Sequence, residues 1–127
     1  MPVQPTIGRM SLSEAQAYLN GGLVGLDVFQ LREGVPPISE ALRSGRLRYE
    51  RRDEEEHWKN IREIWADGFG DCEDLASAIA AELIFFRGHR AELRLFRVRP
   101  GLVHAVAVDL TTGEVYDPSR TGGMGAP

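Results

Sequence analysis

The chain has 127 residues and a formal net charge of −4 at pH 7, which favours a single domain, 1–127, with a core of its own. Hydrophobic residues make up 43% and charged residues 27% of the sequence, so wholesale disorder is excluded. No apolar run is long enough to span a membrane, so we expect no membrane span. A mildly acidic chain is repelled by the phosphate backbone of nucleic acids, so we expect no nucleic-acid binding either.

The two ends of the chain show little pattern. Residues 1–10 predict a loose arm, and the glycine-rich residues 121–127 predict a flexible tail. The N-terminus has no signal-peptide pattern, so we expect a cytoplasmic location, or one in a virion or similar particle. The single Cys72 excludes an internal disulfide and a cysteine-rich zinc site. His57 and His89 are expected on the surface without metal partners, and no cofactor is implied.

Local signals divide the first half of the chain into short elements. In chain order these are a helix over 12–20, an apolar irregular stretch over 24–31, a helix over 37–43 and an extended or edge strand over 46–51. Ser11 and Glu14 form the capping box of the first helix, and the pair Gly21-Gly22 is expected to stop it.

From Glu54 the apolar residues recur with the period of a helix. One helix is expected to begin near Glu54 and end at Gly68, and a second to begin near Cys72 and close at Gly88. The residues at helical spacing are Trp58, Ile61, Ile64 and Trp65 in the first helix, and Leu75, Ala76, Ile79, Ala80, Leu83 and Phe86 in the second. We expect the two apolar faces to share one core.

The rest of the chain predicts β-structure. Three strands are expected over 91–98, 102–109 and 114–117, separated by turns at 100–101 and 110–113. Helices followed by an antiparallel meander predict an α+β fold.

Three residues in this order carry chemistry: Cys72 at a helix start, His104 near the start of a strand and Asp117 at the end of the next strand. A thiol needs a base to become a thiolate, and the base needs an acceptor that orients it. A helix N-terminus favours a thiolate and offers free N–H groups. Each residue alone is more often structural, as a small buried side chain, a core histidine or a turn residue.

The length of the second turn decides whether His104 and Asp117 can meet. With a four-residue loop over 110–113, Val106 faces Asp117, and Asp117 then lies on the face of the sheet that carries His104. A three-residue loop would turn Asp117 to the opposite face.

These segments resemble the transglutaminase-like cysteine peptidase superfamily. The similar stretches are Gly70-Asp71-Cys72-Glu73-Asp74-Leu75-Ala76, Val103-His104-Ala105 and Tyr116-Asp117-Pro118-Ser119, within about half of the chain. The resemblance implies a papain-like core with Cys72 as nucleophile, His104 as base and acid, and Asp117 as orienter. Many members carry an aromatic residue where Glu73 or Ala105 stands here. The region of Asp117 with Gly123-Met124 is also similar to small members encoded by phages and prophages.

The resemblance implies thiol-dependent acyl transfer on the amide bonds of a peptide or protein, as a cysteine peptidase, an amidase or a transglutaminase. The second oxyanion donor is expected upstream of the nucleophile, and the candidates for it or for the substrate groove are Trp58, Asn60, Trp65 and Asp71. The alternative function is a catalytically silent interaction module, for example an assembly component of a phage-like particle.

Overall fold

The computed structural model describes residues 10–51 and 57–121, so most of the predicted arm and tail lies outside them. The helices are α1 (Leu12–Tyr18), α2 (Val24–Arg32), α3 (Ser39–Ser44), α4 (Ile61–Asp67), α5 (Cys72–Arg87) and α6 (Pro118–Thr121). The strands are β1 (Arg48–Tyr49), β2 (Phe69–Gly70), β3 (Ala91–Arg99), β4 (Leu102–Asp109) and β5 (Val115–Tyr116). β1 and β2 pair in parallel, and β3, β4 and β5 form an antiparallel sheet in that order. The predicted α+β class is confirmed.

The first helix does not stop at Gly21 and Gly22, so that prediction is wrong. The residues Leu19–Leu23 form a π-helical turn that joins α1 directly to α2. Two glycines weaken a helix by about 1 kcal/mol each, but burial of Leu19 and of its neighbours along the helix outweighs this cost. Tertiary packing therefore overrides the local stop signal.

Two side chains of this helical region cover the free edge of β3. The Asn20 amide donates to the Leu93 carbonyl at 2.9 Å and accepts from the Leu93 N–H at 2.8 Å, as a neighbouring strand would. Gln16 accepts the Leu95 N–H at 2.8 Å. These bonds hold the helix against the sheet and protect its long edge strand from pairing with other chains.

The stretch 24–31, expected to be irregular, is helical in α2. The apolar residues of this stretch do not recur with a helical period in the sequence, because the buried face carries Asp27 and Gln30 while Leu26 and Phe29 are exposed. The polar side chains on the buried face have partners across the core. Asp27 accepts the N–H of Ile61 at 3.0 Å, and Gln30 accepts that of the next residue at 3.1 Å.

Helix α4 begins at Ile61 and not near Glu54, and residues 52–56 lie outside the described residues. Asn60 caps the helix, because its side chain accepts the N–H of Glu63 while the Glu63 carboxylate accepts the N–H of Asn60. Trp58 therefore precedes the helix, although it is buried. Ile61 and Ile64 do join the core formed by α5, as expected.

The antiparallel sheet closely follows its prediction. β4 has the expected bounds, β3 is one residue longer and β5 is shorter. Helix α5 packs on the face of the sheet that carries buried Leu93, Leu95, Ala105 and Ala107. Pro118 begins the short helix α6 directly after β5.

His89, expected on the surface, is only partly exposed because it pairs with a buried aspartate. Its Nδ1 lies 2.7 Å from Oδ2 of the fully buried Asp109. Oδ1 of Asp109 accepts the N–H groups of Thr111 and Thr112. Burial raises the pKa of Asp109, but these hydrogen bonds outweigh it and lower the pKa below its ordinary value. The pair fastens the β4–β5 turn to the end of α5.

None of the helices in residues 10–51 and 57–121 is long and apolar enough to cross a membrane.

The Asp27 carboxyl makes the stability of the fold depend on pH. Asp27 is fully buried, and its Oδ2 has no hydrogen-bond partner among the described residues. Burial raises its pKa from the ordinary value of 3.8 to about 8, against the hydrogen bond from Ile61. The folded state therefore holds a proton that the unfolded state releases, and this contribution to stability is lost as the pH rises through about 8.

We expect the unfolding free energy of the wild type to fall by about 3 kcal/mol more than that of Asp27→Asn between about pH 5.5 and about pH 9. Urea unfolding at the two pH values measures the difference. Glu33→Gln, which removes an exposed carboxyl just after α2, should keep the wild-type slope. An Asp27→Asn variant with the wild-type slope would contradict the prediction.

Candidate active site

Cys72 occupies the first position of α5, directly after a sharp turn out of β2. Asp71 caps the helix by accepting the N–H of Asp74. A Cβ at Gly70 would lie 3.1 Å from Cβ of Asp74 and 3.2 Å from Cδ2 of Leu75, so only glycine fits there without displacement. The local sequence thus places the thiol at the N-terminus of the helix, as predicted.

The packing of α5 on β4 brings the thiol next to the backbone of this strand. The backbone N–H of Ala105 interacts with the Cys72 sulfur and favours the thiolate. Ala105 directly follows His104 in β4, and the side chains of successive strand residues point to opposite faces of a sheet. Cys72 as a whole residue is 5% exposed, whereas the side chain of His104 is 18% exposed.

His104 and Asp117 form the predicted hydrogen bond. Nε2 of His104 lies 2.9 Å from Oδ1 of Asp117. Because an ionised carboxylate can only accept, Nε2 carries the proton and Nδ1 keeps its lone pair. The Phe96 ring meets the imidazole edge-on, with ring centroids 5.5 Å apart. The imidazole is therefore held by a carboxylate and an aromatic neighbour, in the tautomer that a general base needs.

The register behind this contact is the one that the four-residue turn requires. Ala107 faces Tyr116 and Val108 faces Val115, so the continued ladder sets Val106 opposite Asp117. The prediction is confirmed.

Asp117 is itself held in place. It accepts the N–H of Ser119 at 3.0 Å and the hydroxyl of Ser119 at 2.7 Å. Burial raises its pKa, but the hydrogen bonds from Ser119 and His104 lower it below its ordinary value. The carboxylate is thus ionised and oriented at neutral pH.

The thiol, by contrast, bonds to its sequence neighbour. Sγ of Cys72 donates to Oε1 of Glu73 at 3.1 Å, and no hydrogen bond of the described residues joins Cys72 to His104. Burial raises the pKa of the Cys72 thiol, and the carboxyls of Glu73 and Asp71 raise it further. In this arrangement the thiol is protonated.

The four candidates for an oxyanion donor or groove residue have other contacts. Trp58 is buried, and the centroid of its ring lies 5.6 Å from that of Tyr18. Asn60 caps α4 and Asp71 caps α5. Nε1 of the half-buried Trp65 donates to the Pro36 carbonyl at 2.9 Å. The Trp65 indole N–H is thereby already engaged outside the site.

The first turn of α5 supplies free backbone donors. Leu75 is the first residue whose N–H reaches a helical carbonyl, that of Asp71, at 3.0 Å. The N–H groups of Cys72 and Glu73 have no acceptor among the described residues. Together with the helix dipole they can stabilise negative charge beside the thiol.

Sequence reasoning missed Tyr49. This buried residue of β1 lies opposite Gly70 in the parallel β1–β2 pair, two residues before Cys72. Burial raises its pKa to about 12, and the nearby Cys72, Asp71 and Glu73 add to the effect. The alternation of Leu47 and Tyr49 signalled a buried face, but nothing local indicated its partner strand.

Among residues 10–51 and 57–121, no group of three or more His, Cys, Asp or Glu side chains could hold a metal ion. A scan against known protein families, a search of curated proteins and a search of solved structures found no match to this chain. Its function is therefore inferred from the geometry of the site.

We expect Glu73→Gln to speed alkylation of Cys72 by iodoacetamide about tenfold at neutral pH. The variant removes a negative charge beside the thiol and so lowers its pKa, and only the thiolate reacts. Stopped-flow or mass-spectrometric rates provide the measurement, with Glu33→Gln as the control. A rate that stays equal or falls would show that Glu73 does not hold the thiol in its neutral form.

Proposed function

We propose that this protein is a thiol-dependent acyl transferase or hydrolase that acts on amide bonds, with Cys72 as nucleophile, His104 as base and acid, and Asp117 as orienter. The observation that carries the proposal is the hydrogen bond between His104 and Asp117, made on the strand whose next residue, Ala105, contacts the thiol. A lone buried cysteine or a satisfied histidine would not need this combination.

The first half-reaction forms a thioester. His104 takes the thiol proton on Nδ1, and the sulfur attacks the carbonyl carbon of the amide, whose π electrons move to oxygen. The oxyanion then collapses, the carbon–nitrogen bond breaks, and His104 returns its proton to the leaving amine. The free backbone N–H of Cys72, in the first turn of α5, donates a hydrogen bond to the oxyanion.

The second half-reaction frees the enzyme. His104 removes a proton from water or from a second amine, which attacks the thioester carbonyl, and the sulfur leaves as thiolate and recovers its proton. Water as acceptor gives a peptidase or amidase, and an amine gives a transglutaminase. Peptides or proteins are the proposed substrates, since these carry the amide bonds.

The proposed mechanism requires the thiol to exchange Glu73 for His104. Glu73 lies on the same helix as Cys72 and His104 lies on β4, so in the exchange the thiol leaves its helix neighbour and turns toward the strand. Substrate binding that displaces Glu73 from the thiol would couple activation to occupancy of the site.

The resemblance to the transglutaminase-like superfamily supports the same proposal. A cysteine at the start of a helix, packed on an antiparallel sheet with a histidine and an aspartate on adjacent strands, is the arrangement that the papain-like core implies. The region around Asp117 is similar to small phage-encoded members of this superfamily, and a role in a phage-like particle is proposed on that similarity.

A second candidate function is the catalytically silent interaction module. The observation that favours it is the Cys72–Glu73 hydrogen bond, in a buried setting that raises the thiol pKa. In a silent module this pair would be a structural contact, and His104 with Asp117 would only fasten α6 and the end of β5 to β4.

Acylation by para-nitrophenyl acetate separates the two functions. We expect wild-type Cys72 to form an acetyl thioester with a burst of nitrophenolate, and Cys72→Ala to give none. His104→Ala should slow acylation by about 10²–10⁴-fold, because the base is lost, and Asp117→Asn by about 10²-fold or more, because the imidazole loses its tautomer and orientation.

His89→Ala is the matched control, since it removes the other histidine that pairs with an aspartate. It should leave the burst rate unchanged, measured where the variant remains folded by circular dichroism. Wild-type acylation no faster than that of N-acetylcysteine at the same thiolate concentration would favour the silent module. Addition of an amine to the acetyl enzyme then tells transfer from hydrolysis.

A further inference from the structure

A cavity of about 210 Å³ lies between α3, the second half of α5 and Tyr116 of β5. The α5 residues that line it lie between Ile79 and Arg87. At 1.5 Å of rise per residue they are about 10–22 Å along the helix from Cys72. The proposed mechanism uses none of the lining residues, so this cavity is a separate candidate for a ligand.

The inner wall of the cavity is apolar. Leu42 of α3 and Ile79 and Leu83 of α5 are buried and line it. Phe86 also lines it but is 58% exposed, although the helical period of the sequence placed it with the core face of α5. A cavity of about 150 Å³ holds a benzene ring, so this one has room for a ring and a small polar group.

Two guanidiniums complete the lining. Arg43 and Arg87 are exposed, so they lie where the cavity opens to solvent. Arg43 pairs with Glu40 at 3.0 Å, but both side chains are more than half exposed, and such ion pairs contribute little to stability. The Arg43 guanidinium can therefore exchange this partner for an anion that enters the cavity.

Among the described residues, Glu82 is the only carboxylate that lines the cavity. Its Oε2 accepts the N–H groups of Ile38 and Ser39 at 2.7 and 3.1 Å, and these donors at the start of α3 offset its charge. The lining thus keeps a positive excess, in a chain whose net charge is −4. An anion with an apolar body complements it.

We propose that this cavity binds a small organic acid with an aromatic or aliphatic body. The body lies against Leu83 and Phe86, and the carboxylate bonds to the guanidiniums at the mouth. Arginine suits this role because its planar fork binds both oxygens of a carboxylate. The small volume favours a free acid over the end of a peptide chain. The inference goes beyond the proposed function and does not depend on it.

Hydrocinnamate and its neutral amide, hydrocinnamamide, test the site in titrations followed by the backbone amide chemical shifts of the isotope-labelled protein. We expect the acid to shift the resonances of the lining residues and to bind at least about tenfold more tightly than the amide. In the double variant Arg43→Gln/Arg87→Gln the two probes should bind within about twofold of each other. Arg32→Gln/Arg62→Gln, at two exposed arginines outside the cavity, is the matched control and should keep the preference.

The apolar contact is tested with the same probes. Phe86→Ala should weaken the acid and the amide alike, by about three- to tenfold, because both lose the aromatic wall. Phe85→Ala, at the neighbouring ring that does not line the cavity, should leave both affinities within about twofold of the wild type. Circular dichroism confirms that the variants fold.

A preference for the acid that disappears in the cavity arginine variant and survives in its control supports the inference. Absence of saturable binding, equal binding of the two probes by the wild type, or shifts that map outside the cavity overturn it. A short peptide that ends in phenylalanine and binds at least about tenfold more tightly than hydrocinnamate would assign the cavity to a chain end and also overturn it. None of these results depends on Cys72, so each leaves the proposed function as it stands.

Discussion

The packing of helix α5 on the inner face of β4 is the contact on which the site depends. It sets the first residue of the helix, Cys72, against the backbone of Ala105, the residue that follows His104. The small buried residues Ala105 and Ala107 allow this close approach, because a larger side chain would hold the helix away from the strand. β5 then supplies Asp117 from the other side of β4.

Electrostatics work in two directions around the thiol. The helix N-terminus and the Ala105 N–H favour a thiolate, whereas burial and the carboxyls of Glu73 and Asp71 favour the neutral thiol. Burial and the two carboxyls prevail while the thiol donates to Glu73, so the thiol stays neutral. The Asp117 carboxylate is ionised and holds His104 by a hydrogen bond independently of this balance. In the proposed mechanism the thiol stays protonated until it exchanges Glu73 for His104.

The elements that were predicted correctly depend on local chemistry. The ends of α5 near Cys72 and at Gly88, and the turn that sets Val106 opposite Asp117, follow from residue types within a few positions. The capping box of Asn60 was also present in the sequence, but the apolar period that includes Trp58 concealed it. What failed depends on distant contacts: helix continuity through Gly21-Gly22 comes from burial, and the location of Tyr49 comes from a strand pair between separated segments.

The central claim is that His104 can act as the base of Cys72, and the pH dependence of Cys72 alkylation by neutral iodoacetamide tests it most directly. In Glu73→Gln, where the carboxylate no longer holds the thiol, a thiol coupled to an imidazole forms a thiolate–imidazolium pair, so the reaction should persist well below the pKa of about 8.5 expected of a free thiol. Adding His104→Ala to Glu73→Gln should then remove the reactivity on the acid side and leave the fold intact. A single titration of Glu73→Gln at or above the free-thiol value, unchanged by His104→Ala, would contradict the account.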